Sequence, residues 1–89
     1  MWKLSPDVVF RDLEGEAVIL DLSSGTYFGL NEVGTRVWRL LDEGRHQSQI
    51  VEIVAAEYAA DRETIARDVE GLLADLRSRG LIVSAGTGP

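Results

Sequence analysis

Apolar residues are arranged in two ways along the chain, first in short β-type runs and then at helical spacing. Asp7-Val8-Val9-Phe10-Arg11-Asp12-Leu13 is rich in β-branched and aromatic residues, and Glu14-Gly15-Glu16 supplies a glycine-containing turn. Ala17-Val18-Ile19-Leu20-Asp21-Leu22 follows, Ser23-Ser24-Gly25 is a second turn, and Thr26-Tyr27-Phe28-Gly29-Leu30 is a third run. Connections this short favour an antiparallel meander. The last of its three strands then lies at a sheet edge, with unpaired N–H and C=O groups.

Helical spacing takes over at Asn31, a preferred N-cap, with Glu32 placed to suit the helix dipole. Val33, Val37, Leu40 and Leu41 form one apolar stripe, and Gly44 stops the helix. A second helix is predicted from about Gln47 to Tyr58, capped by His46 or Ser48, with Ile50, Ile53, Val54 and Tyr58 on one face. Asp61 caps a third, longer helix carrying Ile65, Val69, Leu72, Leu73 and Leu76, which Gly80 ends. Leu81-Ile82-Val83 suits a short extended segment, and the small polar tail from Ser84 to Pro89 is expected to fray. Three strands followed by three helices is an α+β pattern, and the helical part has the lengths and glycine punctuation of a helix-turn-helix unit.

Composition narrows the function. With 89 residues, 45% of them apolar and 27% charged, the chain has room for a single domain of ordinary globular make-up. It contains no cysteine, which excludes disulfides and thiolate metal sites. No apolar run approaches the ~20 residues of a bilayer span, and no signal peptide is evident, so a soluble cytoplasmic protein is expected. Nine Lys and Arg against fifteen Asp and Glu give a net charge of −6, with positive residues scattered beside acidic ones. Nucleic-acid binding, which draws its affinity from phosphate neutralisation, is disfavoured.

Catalytic chemistry finds no foothold. His46 is the single histidine and reads as a solvated cap residue, so neither a nucleophile–base pair nor a zinc site can be assembled. The glycines match neither phosphate-binding fingerprint. The expectation is a non-enzymatic protein without metal or cofactor.

What remains is a binding surface. Tyr27-Phe28-Gly29-Leu30 is an apolar edge strand with a glycine, a place where another backbone can come close and an extended peptide can add as the next strand. Plain core packing of Phe28 and Leu30, with Gly29 admitting a helix, is the competing and compatible reading. On the third helix Thr64, Asp68, Gly71 and Asp75 share a stripe beside the apolar one. Asp68 and Asp75 are either solvated or placed to hold a cationic or amide group of a ligand. Gly71 costs about 1 kcal/mol against alanine, through tolerance in a long helix or because a groove floor must stay open.

The run Gly25-Thr26-Tyr27-Phe28-Gly29-Leu30-Asn31-Glu32-Val33-Gly34, followed by Val37-Trp38-Arg39-Leu40-Leu41, resembles the PqqD family. So does the closing part, Asp68-Val69, Leu72-Leu73-Ala74-Asp75-Leu76 and Arg79-Gly80-Leu81-Ile82. The likeness runs from about Val8 to Val83, within one domain over residues 1–89. It implies a winged-helix-like domain that recognises the leader segment of a ribosomally made precursor peptide by strand addition. Carried onto this chain, it makes Thr26, Tyr27, Phe28, Gly29 and Leu30 the docking edge, and Asp68, Val69, Leu72 and Leu76 the facing helix wall, with Asp75 beside them. A chain of this length is most similar to the leader-binding partners of lasso-peptide pathways, where a separate peptidase removes the leader. Stand-alone partners of radical-SAM peptide-modifying enzymes are the alternative. Gly71, where the family commonly has a larger residue, and His46, where a Thr or Ser cap is usual, depart from the pattern; Gly71 suggests a wider groove. Rival readings are a winged-helix DNA-binding regulator and a subunit whose edge serves only dimerisation.

Overall fold

A computed structural model describes residues 2–84 of the chain. In order these form β1 (Trp2–Leu4), β2 (Val8–Leu13), β3 (Glu16–Asp21), β4 (Thr26–Gly29), α1 (Glu32–Asp42), α2 (Gln47–Glu57), α3 (Arg62–Ser78) and β5 (Ile82–Ser84). The expected meander is present: β2, β3 and β4 make an antiparallel sheet in that order, and three helices follow. The sequence-predicted tail lies outside the described residues at 85–89, whereas Ser84 closes β5.

Local chemistry explains the turns. Glu14 and Gly15 both have positive φ (55° and 87°), the combination a two-residue hairpin needs, and the Asp12 carboxylate accepts from the Gly15 N–H at 2.9 Å. At the β3–β4 turn the Asp21 carboxylate accepts from the Ser23 hydroxyl at 2.8 Å, the Ser23 N–H at 3.0 Å and the Ser24 hydroxyl at 3.0 Å. These donors, the Ser23 hydroxyl foremost, hold the Asp21 carboxyl below the usual carboxylate range.

Helix ends fall where the capping residues put them. Asn31 Oδ1 accepts from the Gly34 N–H at 2.8 Å, and Asp61 accepts from the Thr64 N–H at 3.1 Å. Of the two caps open for α2, His46 is the one used; its N–H donates to Gln49 Oε1 at 2.9 Å. Gly44 and Gly80 end α1 and α3 in the left-handed region, at φ 84° and 73°. The Leu81 N–H then reaches back to the Leu76 carbonyl at 2.9 Å, which turns the chain into β5.

The core lies between the inner face of the sheet and the three helices. Ile19, Trp38, Leu40, Leu41, Ile50 and Leu76 are among its fully buried side chains. Each such aliphatic side chain contributes about 1.5–3 kcal/mol on leaving water.

Three features differ from the sequence reading. Trp2–Leu4 is a strand, paired with β5 in a second, two-stranded sheet, and Trp2 and Leu4 pack on the core. On α2 the buried positions are Ile50, Val51 and Val54. Tyr58, predicted on that face, is exposed, and its hydroxyl donates to Glu32 Oε1 at 3.3 Å, because the helix ends at Glu57 and Tyr58 turns outward over α1. Among the described residues no helix is long and apolar enough to cross a membrane.

One buried polar group positions the corner between β4 and α1. The Thr35 hydroxyl accepts from the Ala17 N–H at 2.7 Å and donates to the Leu30 carbonyl at 3.3 Å. It completes the ladder where β4 runs out and the chain turns into the helix. Thr35→Val should orphan both backbone groups and lower stability by roughly 1–3 kcal/mol, read as a shift of the urea midpoint at unchanged slope.

Candidate functional site

The sheet ends at β4, which has β3 on one side and no strand on the other among the described residues. Which of its backbone groups are free follows from the ladder. The Leu22 N–H donates to the Asp7 carbonyl at 2.8 Å and the Leu30 N–H to the Ala17 carbonyl at 2.9 Å. Backbone direction alternates along a strand, so even-numbered residues of β3 bond to β2 and odd-numbered ones to β4. Ile19 opposite Phe28 is therefore a hydrogen-bonded pair, and Phe28 uses its N–H and C=O within the sheet. Tyr27 and Gly29 turn theirs outward. The open edge thus offers two donors and two acceptors.

Beside this edge runs a groove of about 460 Å³ between β4, the start of α1 and the length of α3. That volume is within the range of small-ligand sites. Its floor is apolar and buried: Leu30, Val37, Ile65, Val69 and Leu76. Half-buried Phe28, Val33 and Leu72 form the walls, and Asp68 and Asp75 stand at the rim. Gly34 packs closely at the α1 end: a Cβ there would come to 3.2 Å from Asn31 Oδ1, so the helix-capping side chain would have to shift by a few tenths of an ångström.

Of the residues singled out in the sequence, Phe28, Gly29, Leu30, Asp68, Val69, Leu72, Asp75 and Leu76 border this one groove. Thr26 lies further along the edge, in a small depression shared with Phe28, Arg79 and Leu81. Tyr27 contributes backbone to the edge, but its side chain stands on the opposite face of the sheet with Val9 and Leu20. Gly71 does not line the groove; it is exposed and a Cβ there would meet nothing within 4 Å. The open-floor reading of Gly71 is overturned by that placement, and with it the wider groove.

The sequence reading passed over Arg79 as a site element. Its guanidinium lies 4.1 Å from the centroid of the Phe28 ring, and its Nε donates to Asp75 Oδ1 at 3.0 Å. Asp75 is thus engaged by a cation of its own chain, four residues on. Asp68 has no hydrogen-bond or ion-pair partner among the described residues. Val33, Val37 and Ile65 were visible as helix-stripe residues, but periodicity alone cannot distinguish a groove lining from closed core.

The model of the family described as "Coenzyme PQQ synthesis protein D (PqqD)" matches residues 16–82. The chain belongs to the PqqD family. Curated relatives include the PqqA binding proteins of Rhodopseudomonas palustris (strain TIE-1) and Gluconobacter oxydans (strain 621H). Each is 34% identical over 55 residues, 62% of this chain. The chain spans about half the length of these relatives, 54% and 57%. Among solved structures it is similar to TbiB1, determined in complex with the TbiA(beta) leader peptide: TM-score 0.89 and 41% identity, over 96% of this chain and 99% of that one. A lasso peptide synthetase B1 complexed with its leader peptide has the same fold, with TM-score 0.85 and 24% identity over 93% of this chain and 98% of that one.

Proposed function

We propose that this chain is a non-catalytic protein that captures the leader segment of a ribosomally made precursor peptide as a fourth strand on β4. The observation that carries this reading is the open edge of Tyr27 and Gly29 running beside an apolar groove. Its likeness to a protein solved with a leader peptide supports it. Main-chain bonds at the edge give affinity for any extended peptide, and alternate side chains entering the groove give selection.

The magnitudes agree with such a complex. Four main-chain bonds contribute about 0.5–1.5 kcal/mol each, and two or three buried side chains about 1.5–3 kcal/mol each. Ordering a flexible peptide costs roughly 2–5 kcal/mol. The balance falls near the ~8 kcal/mol of micromolar affinity. Holding the leader raises the effective concentration of the rest of the precursor for a maturation enzyme. A lasso-peptide leader peptidase is the enzyme that the chain's sequence resemblance favours.

Paired proline substitutions test the reading, with calorimetric titration of candidate precursor peptides from the source genome. Tyr27→Pro removes a donor that points out of the sheet, which an edge strand tolerates. It should fold and bind the peptide about tenfold more weakly. Phe28→Pro removes a donor used inside the sheet and should unfold the domain, as circular dichroism will report. A folded Tyr27→Pro protein with unaltered affinity would show that peptides do not add at this edge.

A further inference from the structure

Two carboxylates stand at the rim of the groove, Asp68 and Asp75 on α3, and they are not equivalent. Asp75 accepts from Arg79 Nε at 3.0 Å, and that guanidinium lies 4.1 Å from the Phe28 ring centroid, so its charge is answered within the chain. Asp68 has no such partner among the described residues. Its neighbours one turn away along the helix are Thr64, Ile65, Gly71 and Leu72, none of them charged. Facing it from α1 across the groove are Val33, Gly34 and Val37. The Asp68 carboxylate is a lone charge on an apolar wall, exposed to water in the free chain.

We propose that Asp68 is the specificity-determining residue of the groove, and that it takes a lysine or arginine of the leader two positions before the apolar side chain that packs beside Phe28. The inference rests on the leader-binding reading and deepens it. Position along the groove follows from α3, which runs opposite to β4. Its C-terminal end reaches Phe28 and Thr26 through Arg79, so its N-terminal half lies toward Leu30 and α1. Seven residues of helix separate Asp68 from Asp75 by about 10 Å. Both pairings already in the sheet are antiparallel, the more stable arrangement per residue, and a guest strand that continues them runs from Leu30 toward Thr26. Its residue opposite Phe28 makes a non-hydrogen-bonded pair and turns its side chain into the groove. The residue two before it stands opposite Leu30, about 7 Å nearer Asp68 on the same face, and the long stem of a Lys or Arg spans the remainder.

Desolvation makes the choice. A guest laid over the groove takes water from Asp68, so an apolar or acidic residue at that position leaves a charge unpaired and is rejected, whereas a cation restores a partner. Of the two rim carboxylates only Asp68 is unanswered, so one basic residue sets both the register and the direction of the guest.

The test uses the full chain and whichever candidate precursor peptide from the source genome binds it in calorimetry. Replacing each Lys and Arg of that peptide in turn by glutamine should reveal one position where affinity falls about tenfold. Asp68→Asn should lose about as much against the parent peptide and almost nothing further against the glutamine variant, the coupling that marks a direct pair. Asp68→Lys should bind the parent more weakly still, and recover at least about tenfold when the same peptide position carries glutamate. Circular dichroism confirms that both Asp68 variants fold. Nuclear Overhauser contacts of the Phe28 ring should fall on the apolar residue two positions after the cation. Additive losses in the cycle, a bound leader without Lys or Arg, or a cation two positions after the residue on Phe28 would each overturn the assignment. Failure of wild type to bind any of these peptides would instead strike the leader-binding reading itself, and this assignment with it.

Discussion

Replacing Leu72 by aspartate is expected to leave the domain folded and to weaken leader binding by about a hundredfold. Leu72 is half-buried in the groove wall, between Asp68 one turn before it and Asp75 one turn after. In the free protein a carboxylate at this position can turn to water, so the cost to stability is modest. In the complex the guest side chains would cover it, and a charge without a partner would leave water beside two existing carboxylates. Leu72→Ala, which removes contact area and adds no charge, should lose only about three- to tenfold. Calorimetry with circular dichroism reads both outcomes. Wild-type affinity in a folded Leu72→Asp protein would remove α3 from the binding site.

Trp38→Ala should unfold the domain or bring it to the edge of unfolding. The indole is fully buried on α1 and meets the Phe10 ring of β2 edge-on, 5.6 Å between centroids at 83°, which ties the helix layer to the sheet. Truncation of a buried Trp to Ala costs roughly 3–5 kcal/mol, against total stabilities of about 5–15 kcal/mol. Trp38→Phe should cost far less. It leaves a smaller void, and it removes the indole N–H, a buried donor without an acceptor among the described residues. Urea unfolding followed by far-ultraviolet circular dichroism ranks the variants. Equal losses for Ala and Phe would mean that volume at this position contributes little.

Much of this architecture could be read from short-range chemistry. Asn31 and Asp61 start helices, Gly44 and Gly80 stop them, and the β-type runs end in turns whose side chains bond their own backbone. The pairing of β1 with β5 could not be read this way. Three-residue segments are too short for periodicity, and their register, Trp2 with Ser84, joins the two ends of the described chain.

The site was legible in part. The Tyr-Phe-Gly-Leu strand and the apolar stripe of α3 do converge on one groove. Which edge residues face outward was hidden, because it depends on ladder parity, set here by Leu22 on Asp7 and Leu30 on Ala17. Thr35 escaped notice for a related reason, as its partners are the backbone of Ala17 and Leu30 rather than side chains. Arg79 on Phe28 required the helix terminus and the strand in one frame.

Residue-resolved amide hydrogen exchange across β4, recorded by NMR with and without saturating precursor peptide, tests strand addition most directly. The Phe28 amide should be protected in both states, while those of Tyr27 and Gly29 should exchange freely alone and become protected on binding. Tyr27 and Gly29 amides that are already protected in the free protein, or that stay unprotected when peptide is bound, would contradict it.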